Sequence, residues 1–318
     1  MKMSLVLISY NRKDDIKKSI ESMLAQTVKS DEIIVVDNNS TDGTKEMLMK
    51  DFPEVKLIIL PGNEGLCFAA NVGFKNSKGK YVGIVESDMT LSKNWVEEVI
   101  KEFERNPKAG IICPYFLHWS KYGWIDCEFE TQDDYLFMAN GCFAIRRDII
   151  EKASQNLYDS AYFLYAQEEE LTARIFNLGY KIKRLRTAMT FHKPSVSKGR
   201  VKNKTWLFYN MRNNFWNLWT FYSVSNVIVF TPIYLSSLFL QAKNPIRALY
   251  YFGKTLTGIP HCLKKRQVVD KDRYLNPFTN YKHIRSIQKT HYSFDFKTGE
   301  IDPRYKDKIV VPLNKEFR

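Results

Sequence analysis

Four short apolar runs rich in valine and isoleucine divide the first ninety residues of the chain. The runs cover residues 4–9, 33–37, 55–60 and 81–86. Continuous apolar runs of this length and composition are typical of parallel strands that are buried on both faces. The pattern therefore predicts four parallel strands in the first part of the chain.

Helical patterns lie between and after these runs. Apolar positions within residues 16–24 share one helical face, and Asn11 is predicted to cap the start of that helix. A second helical pattern begins at Trp95 and ends at Asn106-Pro107. Strands that alternate with helices over short connections predict an α/β fold, with a mostly parallel mixed sheet and helices on both faces.

Polar residues follow three of the four runs, at the point where each strand ends. These polar clusters are Ser9-Tyr10-Asn11, residues 37–43, and Glu86-Ser87-Asp88. Because ligands of open α/β sheets bind beyond the carboxyl ends of the strands, we expect the three clusters to line one pocket. The turn after the first run carries no glycine-rich phosphate motif, which disfavours a Rossmann dehydrogenase and a P-loop NTPase.

The predicted pocket is rich in carboxylates and holds one aromatic ring. Its members are Tyr10, Asp37, Asp42, Glu86 and Asp88. Carboxylate oxygens suit Mg²⁺ or Mn²⁺, and such an ion can hold a diphosphate that the backbone does not cradle. The aromatic ring offers a face for stacking on a nucleobase.

The order of two motifs carries a family resemblance. The motifs are residues 37–43, Asp-Asn-Asn-Ser-Thr-Asp-Gly, and the pair Asn63-Glu64-Gly65 and Asn71-Val72-Gly73. Over roughly residues 3–215 the chain resembles family 2 glycosyltransferases of the GT-A (Rossmann-like) fold, and most of all the rhamnosyltransferase-like branch, which extends cell-surface and lipid-linked glycans. The resemblance implies transfer of a hexosyl or deoxyhexosyl group from a nucleotide-diphosphate sugar to a glycan or lipid-linked glycan.

The resemblance also assigns roles at the predicted pocket. Asp88 matches the last carboxylate of the DxD motif of the family, which implies that it binds the metal between the two donor phosphates. Glu86 replaces the first Asp of that motif. The nucleotide- and donor-binding residues that the resemblance implies are Ser9, Tyr10, Asn11, Asp37, Asn39, Asn63, Gly65, Asn71, Glu86 and Ser87.

The second half of the chain supplies a candidate general base, which an inverting transfer needs to take the proton of the acceptor hydroxyl. In the family this base is the Asp of a Glu-Asp pair that opens a helix. The corresponding stretch, residues 163–174, places Gln167 at the Glu and Glu168 at the Asp, so Glu168 is the predicted base and Glu169 the alternative. The other interpretation is that the three glutamates have no catalytic role and stand here because negative charges are favourable at the positive end of a helix.

Further residues of the second half are assigned to the acceptor and to the metal. Glu170 and Arg174 lie four residues apart and are predicted to pair on one helical face. By resemblance, both belong to the acceptor side together with Gly141, where a glycine allows close backbone approach. His192 ends a strand-like run, and the resemblance places it near the metal or the leaving diphosphate, where its imidazole could serve as the second ligand, after Asp88, of Mn²⁺ or Mg²⁺ or as a hydrogen-bond donor.

Charge is distributed unevenly along the chain. Residues 171–269 contain 17 Lys and Arg but no Asp or Glu, so the whole net charge of +13 arises in this span. Aromatic residues precede an uncharged stretch at 221–242, a combination typical of an interfacial membrane element. We therefore expect an anionic membrane surface as a partner and no nucleic acid. A spanning helix and a buried helical subdomain remain the alternatives.

The cysteines and the N-terminal residues bear on the location of the protein. Five cysteines without CxxC spacing predict neither a disulfide framework nor a zinc site. The first predicted strand starts at once and leaves no room for a signal peptide, so we expect a location at the cytoplasmic face of the cell membrane, peripheral or interfacially anchored.

The patterns and the resemblance together divide the chain into four parts. These are residues 1–112 for the nucleotide sugar, 113–199 for the acceptor and the base, 200–266 as a basic aromatic helical region and 267–318 as a tail. Two alternatives to the glycan-extending enzyme are a polyprenyl-phosphate glycosyltransferase and a non-catalytic protein that binds nucleotide sugars.

Overall fold

The structure, a computed structural model, describes residues 1–120, 123–126, 135–136, 141–153, 156–193, 203–242, 244–269, 294–295 and 300–301. Strands β1 to β12 cover Met3–Ser9, Glu32–Asp37, Lys56–Ile59, Tyr81–Glu86, Met89–Leu91, Ala109–Ser120, Gly123–Asp126, Tyr135–Leu136, Cys142–Arg146, Lys181–His192, Phe294–Asp295 and Glu300–Ile301. Helices α1 to α10 cover Lys13–Leu24, Thr44–Asp51, Leu66–Asn76, Trp95–Arg105, Arg147–Ala153, Gln167–Asn177, Asn203–Phe221, Val224–Ala242, Pro245–Leu256 and Ile259–Lys264.

Within these ranges one mixed sheet has the strand order β3-β2-β1-β4-β9-β6-β10-β5, with β7 paired to β6 and β8 to β10. The four strands predicted from the sequence form its parallel half, β3-β2-β1-β4. In the other half β9 runs antiparallel to β4 and β6, while β6 and β10 are parallel. The mixed α/β sheet is therefore confirmed. An apolar run does not reveal the direction of its neighbours, so the antiparallel pairings of β9 were not predicted.

Strand β1 separates two apolar cores. Val6 and Ile8 face the core that contains α3 and α6, and Leu5 and Leu7 face the core that contains α1, α2 and α4. This arrangement confirms the helices on both faces of the sheet. It also explains the continuous apolar run, because both faces of β1 are shielded from water.

The start of α1 differs from the prediction that Asn11 caps it. The cap residue is Arg12, whose side chain makes no capping hydrogen bond. Asn11 instead has φ of 52°, in the left-handed region that Asn tolerates, and its Oδ1 accepts a hydrogen bond from Thr41 N at 2.7 Å. The carboxamide joins two strand-end loops and is therefore directed away from the helix. The second predicted helix is confirmed as α4, with Asn106 as its last cap.

Helices α7 to α10 pack on the α/β sheet through a shared core. Phe215 and Trp216 of α7 are buried in the same apolar cluster as Tyr158 and Tyr162. The indole Nε1 of Trp216 donates to the carbonyl of Thr255 in α9 at 2.8 Å. The C-terminal helices therefore pack directly on the sheet domain. The predicted boundary between residues 112 and 113 falls inside β6, and residues 194–202 and most of the predicted tail lie outside the described residues.

One face of the helical region is exposed and apolar. Helix α8 is, in the part of the chain that the structure describes, the one helix long and apolar enough to cross a membrane, and only 11% of its apolar window is buried. Its exposed large apolar side chains are Val224, Ile228, Val229, Ile233, Phe239 and Leu240. Helix α9 adds Ile246, Leu249 and Tyr250.

Candidate active site

The ends of three neighbouring parallel strands bring the predicted polar clusters together. In the register of the sheet, Ser9 lies beside Asp37, and Ile8 lies beside Glu86. Asp88 follows directly after β4. We call Ser9, Asp37, Glu86 and Asp88 the strand-end cluster. The predicted convergence at the carboxyl edge of the sheet is what the register produces.

Asp37 is fully buried and fixes the loop that follows β2. Its Oδ1 accepts from the backbone N of Ser40 at 2.7 Å, and its Oδ2 accepts from the Ser40 hydroxyl at 2.6 Å. The same hydroxyl oxygen accepts from the backbone N of Asn11 at 2.9 Å. The loops after β1 and β2 are therefore one hydrogen-bonded unit, and the short Asp-to-Ser spacing is what allows it.

Asn38 is a residue of this edge that sequence reasoning missed. Its Nδ2 donates to the carbonyl of Gly65 at 3.1 Å, and its Oδ1 accepts from the N of Glu64 at 3.0 Å. Asn39, which was predicted, has φ of 64° and donates to the carbonyl of Pro61 at 3.2 Å. The paired asparagines after β2 thus hold the loop before α3, and the doubled Asn was the signal for it.

The loop around Gly65 packs against the segment that leads to α6. Gly65 has φ of 86°, and a Cβ there would lie 2.6 Å from the ring and the carbonyl oxygen of Phe163. Leu66 N donates to that carbonyl at 2.9 Å. The Asn71 carboxamide bonds both backbone groups of Tyr158, each at 2.9 Å. Asn71 therefore connects the two halves of the site, with its polar atoms engaged by the protein itself.

Four other predicted residues occupy the same edge. The Oγ of Ser9 is buried and has no hydrogen-bond partner among the described residues. Tyr10 is 41% exposed, so its ring is accessible for stacking. The Asn63 Oδ1 accepts from Gly65 N at 3.1 Å, and the carbonyl of Ser87 accepts from the hydroxyl of Ser19 in α1.

Asp42, which the sequence placed in the pocket, has a different task. Its carboxylate accepts from the N of Thr44 at 3.1 Å and from the N of Lys13 at 3.0 Å, at the starts of α2 and α1. Burial opposes its ionisation, but the bonds from Thr44 and Lys13 outweigh burial and lower the pKa of Asp42. The expectation of a pocket carboxylate is corrected here, because the free N–H groups of two helix starts bind this side chain.

Asp88 and His192 come together at the edge of the sheet. The Nε2 of His192 lies 3.5 Å from Asp88 Oδ2, and the Nη1 of Arg12 lies 3.7 Å from the same oxygen. On its other side the His192 Nδ1 is 2.9 Å from the Nδ1 of His118, which lies opposite it in the register of β6 and β10. His118 was missed because β6 was not predicted.

Charge accumulates around Glu86 and Asp88. Burial, followed by the charges of Asp88 and Glu168, raises the pKa of Glu86 well above its usual range. For Asp88, burial acts in the same direction, but the hydrogen bond and charge of His192 and the charge of Arg12 prevail and lower the pKa. Gly141 permits this crowding, since a Cβ there would lie 2.8 Å from the Glu86 carboxyl group.

The donor set fits a divalent cation that is completed by substrate. Among the described residues there is no cluster of three or more His, Cys, Asp or Glu side chains that could hold a metal ion alone. The Asp88 carboxylate and the His192 imidazole form a two-residue set beside a second carboxylate, Glu86. Mg²⁺ and Mn²⁺ are commonly held by one or two side chains plus phosphate oxygens and water.

Glu168 lies in the first turn of α6, and its carboxyl group holds its proton more tightly than an ordinary glutamate. Burial, followed by repulsion from Glu169, raises the pKa of Glu168 from 4.5 to about 8. The Nε2 of Gln167 donates to its Oε1 at 2.7 Å. A carboxylate with a pKa near the working pH is suited to taking a proton from a hydroxyl.

The neighbours of the two glutamates distinguish them. After burial and the charge of Asp88, the charge of Glu168 is the next cause of the raised pKa of Glu86, so the two glutamates lie within electrostatic range of each other. Burial and then the charge of Glu169 raise the pKa of Tyr234 in the helical region, and Glu169 contributes to the raised pKa of Tyr222 after burial and Tyr234. These electrostatic neighbours favour Glu168 over Glu169 as the glutamate near the strand-end cluster.

The predicted pair of Glu170 and Arg174 is present. The Nε and Nη2 of Arg174 donate to the two carboxylate oxygens of Glu170 at 2.7 and 2.8 Å. Arg174 also donates to the carbonyls of Asn156 and Leu157. Both side chains are largely buried, so the pair holds α6 against the preceding loop.

Comparison with known proteins gives the same assignment as the geometry. Residues 4–153, a little under half of the chain, match the family model described as "Glycosyl transferase family 2". The "Probable glycosyltransferase YdaM" of Bacillus subtilis is 28% identical over 276 residues, covering 79% of this chain and 61% of that protein. The "UDP-Glc:alpha-D-GlcNAc-diphosphoundecaprenol beta-1,3-glucosyltransferase WfaP" of Escherichia coli is 37% identical over 87 residues, covering 27% of this chain and 34% of that protein.

A solved structure shows the same fold. "Crystal structure of GalNAc-T7 with UDP, GalNAc and Mn2+" superimposes with a TM-score of 0.58 at 15% identity, covering 70% of this chain and 48% of that one. The chain spans less than two thirds of the length of each of these three proteins. Together, the family match and the shared sheet show that residues 4–153 are similar to family 2 glycosyltransferases and that the chain has a GT-A fold.

Proposed function

We propose that the chain is a metal-dependent, inverting glycosyltransferase that moves a hexosyl or deoxyhexosyl group from a nucleotide-diphosphate sugar to a glycan or lipid-linked glycan. One observation carries the proposal. A partly buried glutamate with a pKa of about 8, Glu168, lies within electrostatic range of Glu86 in the strand-end cluster, where Asp88 lies 3.5 Å from His192. A base and an anion-binding site on opposite sides of one space are what inversion at an anomeric carbon requires.

The donor would lie along the carboxyl edge of the sheet. The accessible ring of Tyr10 would stack on the base, and the loop of Asn63 and Gly65 would border the sugar. Asp88 and His192 would hold Mn²⁺ or Mg²⁺, and the bound ion would neutralise the negative charge of the leaving diphosphate. Arg12 can keep its place beside Asp88 when the ion is bound, because its guanidinium also pairs with Asp15 at 3.2 Å.

The protein residues then perform the proton transfer. Glu168 takes the proton of the acceptor hydroxyl as the oxygen of that hydroxyl forms a bond to the anomeric carbon. The bond from that carbon to the diphosphate breaks on the opposite face, and its electron pair leaves with the diphosphate. The neighbouring Gln167 donor holds one oxygen of Glu168 in place, which leaves the other oxygen for the acceptor.

The relatives support the finer points of the substrate. The name of the Escherichia coli relative describes transfer onto a diphosphoundecaprenol-linked sugar. A lipid-linked acceptor is consistent with the exposed apolar face of α8 and α9 and with the basic span. The rhamnosyltransferase-like branch rests on the order of the motifs alone and is part of this proposal, as are residues 113–199 as the acceptor and base half.

Transfer assays separate this proposal from its alternatives. Purified protein is incubated with Mn²⁺, a panel of nucleotide-diphosphate sugars, and either a diphosphate-linked sugar or a bare polyprenyl phosphate. Transfer to the sugar acceptor supports the proposal, whereas transfer to polyprenyl phosphate alone supports the polyprenyl-phosphate glycosyltransferase. Donor binding without transfer or hydrolysis would indicate the non-catalytic protein.

A contact with the cytoplasmic face of a membrane is the second part of the proposal. The exposed positions of α8 recur at helical spacing and most are apolar, with Ser225, Ser236 and Gln241 as the polar exceptions, the reverse of a helix that faces water. The opposite side of α8, including Val227 and Leu238, is buried against the protein. Lipid would therefore cover one face of α8, which favours an interfacial helix over a spanning one. The surrounding residues 171–269 supply cations without a single acid for an anionic leaflet.

Flotation with anionic vesicles tests this contact. Apolar insertion persists in about 1 M salt, where screening shortens the Debye length to about 3 Å. The wild-type protein should therefore still float, and the double variant I228E/I233E should not. Met49, an exposed apolar residue of α2 that is 59% exposed, provides the matched control M49E. Complete release of the wild type by salt would show that the contact is only electrostatic.

A further inference from the structure

The backbone directly before α6 adopts an unusual conformation. Tyr165 and Ala166 have φ values of 71° and 57°, so two consecutive residues that are not glycine lie in the left-handed region. L-residues rarely adopt this conformation, and it persists where surrounding contacts impose it. Ala166 is also the cap residue of α6 and has no side-chain capping bond. The direction in which α6 starts, and with it the place of Glu168, depends on what holds this turn.

Two asparagines of α7 hold the turn. The Nδ2 of Asn213 donates to the carbonyls of Leu164 and Tyr165 at 2.8 and 2.7 Å. The Nδ2 of Asn217, one helical turn later, donates to the carbonyl of Ala166 at 3.0 Å. Three successive carbonyl groups are thus bonded by two side chains from a helix that lies outside the family match.

The orientation of both carboxamides is fixed from behind. The Nε of Arg212 donates to Asn213 Oδ1 at 2.9 Å, and the hydroxyl of Tyr162 donates to Asn217 Oδ1 at 2.9 Å. Because a guanidinium group only donates, the Asn213 oxygen must face Arg212 and its NH₂ group must face the turn. Asn213 is fully buried and Asn217 is 6% exposed, so a lost bond leaves a buried polar group behind.

The same side of α7 also reaches the donor loop. The ring of Tyr209 stacks on that of Phe163, with ring centroids 5.0 Å apart. Phe163 in turn covers Gly65, whose position leaves no room for a Cβ. Helix α7 therefore contacts the turn before the base and the residue that separates this turn from the donor loop.

We infer that Asn213 and Asn217 are positioning residues that hold the Glu168 carboxylate at the donor, so that the C-terminal helices complete the site of the sheet domain. The inference rests on the proposed role of Glu168 as the base. It requires that loss of these bonds displaces a carboxylate and leaves donor binding in place. A displacement of about an ångström can lower a rate about a hundredfold.

Steady-state kinetics of N213D and N217D with a matched control test the inference. Asp replaces the donating NH₂ group by an acceptor of the same size. We expect kcat to fall about tenfold to a hundredfold, with the donor KM changed by less than about twofold. Among the described residues, Asn214 donates only to Asn210 within α7, so N214D is the control and should keep the wild-type kcat.

A glycine rescue separates positioning from general stability. Glycine adopts a positive φ without strain, so A166G should restore much of the kcat that N217A loses. If N217A lowers only the melting temperature, or if A166G restores no turnover, Asn217 is a structural residue and the inference is wrong. N217A with and without A166G also tests the inference if N213D does not fold. E168Q reports separately on the proposed function, because wild-type turnover in E168Q would overturn the base itself.

Discussion

The strand-end loops and the turn before α6 are held by different parts of the molecule. In the strand-end loops, Asn38 bonds Gly65, 27 positions away, within the family match. The turn before Glu168 lies beyond that match, and Asn213 and Asn217 of α7 bond its carbonyls from 48 to 51 positions away. The strand-end loops are therefore fixed within the sheet domain, whereas the turn before Glu168 depends on a helix of the C-terminal region.

This difference shows where the site can vary. Loops that follow parallel strands are fixed by the strands and by asparagine and serine bonds within the loops. The turn before α6, with its two left-handed residues, is instead bonded by Asn213 and Asn217 of a separate helix. Changes in the C-terminal helices should therefore affect turnover more than donor binding.

Removing the metal carboxylate should have the largest effect on the donor side. In D88N, the residue that would hold the cation loses its charge, and we expect turnover to fall about a thousandfold, since electrostatic stabilisation by a metal is worth several kcal/mol. Activity as a function of Mn²⁺ concentration measures it. D42N is the matched control, because Asp42 binds the starts of α1 and α2. Full Mn²⁺-dependent activity in D88N would refute the assignment of Asp88.

Replacement of His118, which contacts His192 on the side away from Asp88, should have a smaller effect. A metal-binding His192 Nε2 requires a proton on Nδ1, and His118 Nδ1, 2.9 Å away, is the acceptor for it. H118F should weaken Mn²⁺ binding about tenfold to a hundredfold, measured by electron paramagnetic resonance of free Mn²⁺. The neighbouring variant W119F is the control. An unchanged Mn²⁺ affinity in H118F would mean that His118 only packs against His192.

Sequence reasoning accounted for the donor side better than for the base side. The strand ends were predictable, because the polar letters stand directly after apolar runs, as at Asp37 and Glu86. His118 was hidden, because its partner lies across a strand pair that the pattern did not reveal. The role of Asn213 could not be predicted, because nothing in the sequence indicates that an asparagine within an aromatic helix lies beside residue 165. The cap at Asn11 was wrong because a long-range bond overrode a local preference.

The pH dependence should distinguish the base side from the donor side. Because Glu168 must be ionised to accept a proton, kcat/KM should rise about tenfold per pH unit below its pKa of about 8 and level off above it. The contribution of Glu168 to the unfolding free energy changes with pH in the opposite direction. The folded state keeps the proton more tightly, so the unfolding free energy should fall as pH rises from 4.5 to about 8. E168Q should remove the dependence of kcat/KM and the part of the stability dependence that Glu168 contributes, and a pH-independent kcat/KM in the wild type over this range would contradict the prediction.

The contact between Gly65 of the donor loop and Phe163 of the segment before α6 should tolerate little added volume. In G65A, the new methyl group meets Phe163 at a residue with φ of 86°, so we expect a loss of about 1–3 kcal/mol in unfolding free energy. Gly253 in α9 has no atom within 4 Å of a Cβ and serves as the control. G253A should be neutral or more stable by about 0.5–1 kcal/mol, as expected for Ala in a helix. Equal stability of G65A and the wild type would show that the two loops move apart freely.

The most direct test of the account is the turnover of E168Q beside that of E169Q. Both glutamates lie in the first turn of α6, but the charge of Glu168 acts on Glu86, whereas the charge of Glu169 acts on Tyr222 and Tyr234. We predict that E168Q binds the nucleotide-sugar donor as tightly as the wild type and transfers it about a hundredfold more slowly or worse. E169Q should transfer at nearly the wild-type rate. The reverse pattern, slow E169Q and active E168Q, would contradict the assignment of the base and the geometry from which it was inferred.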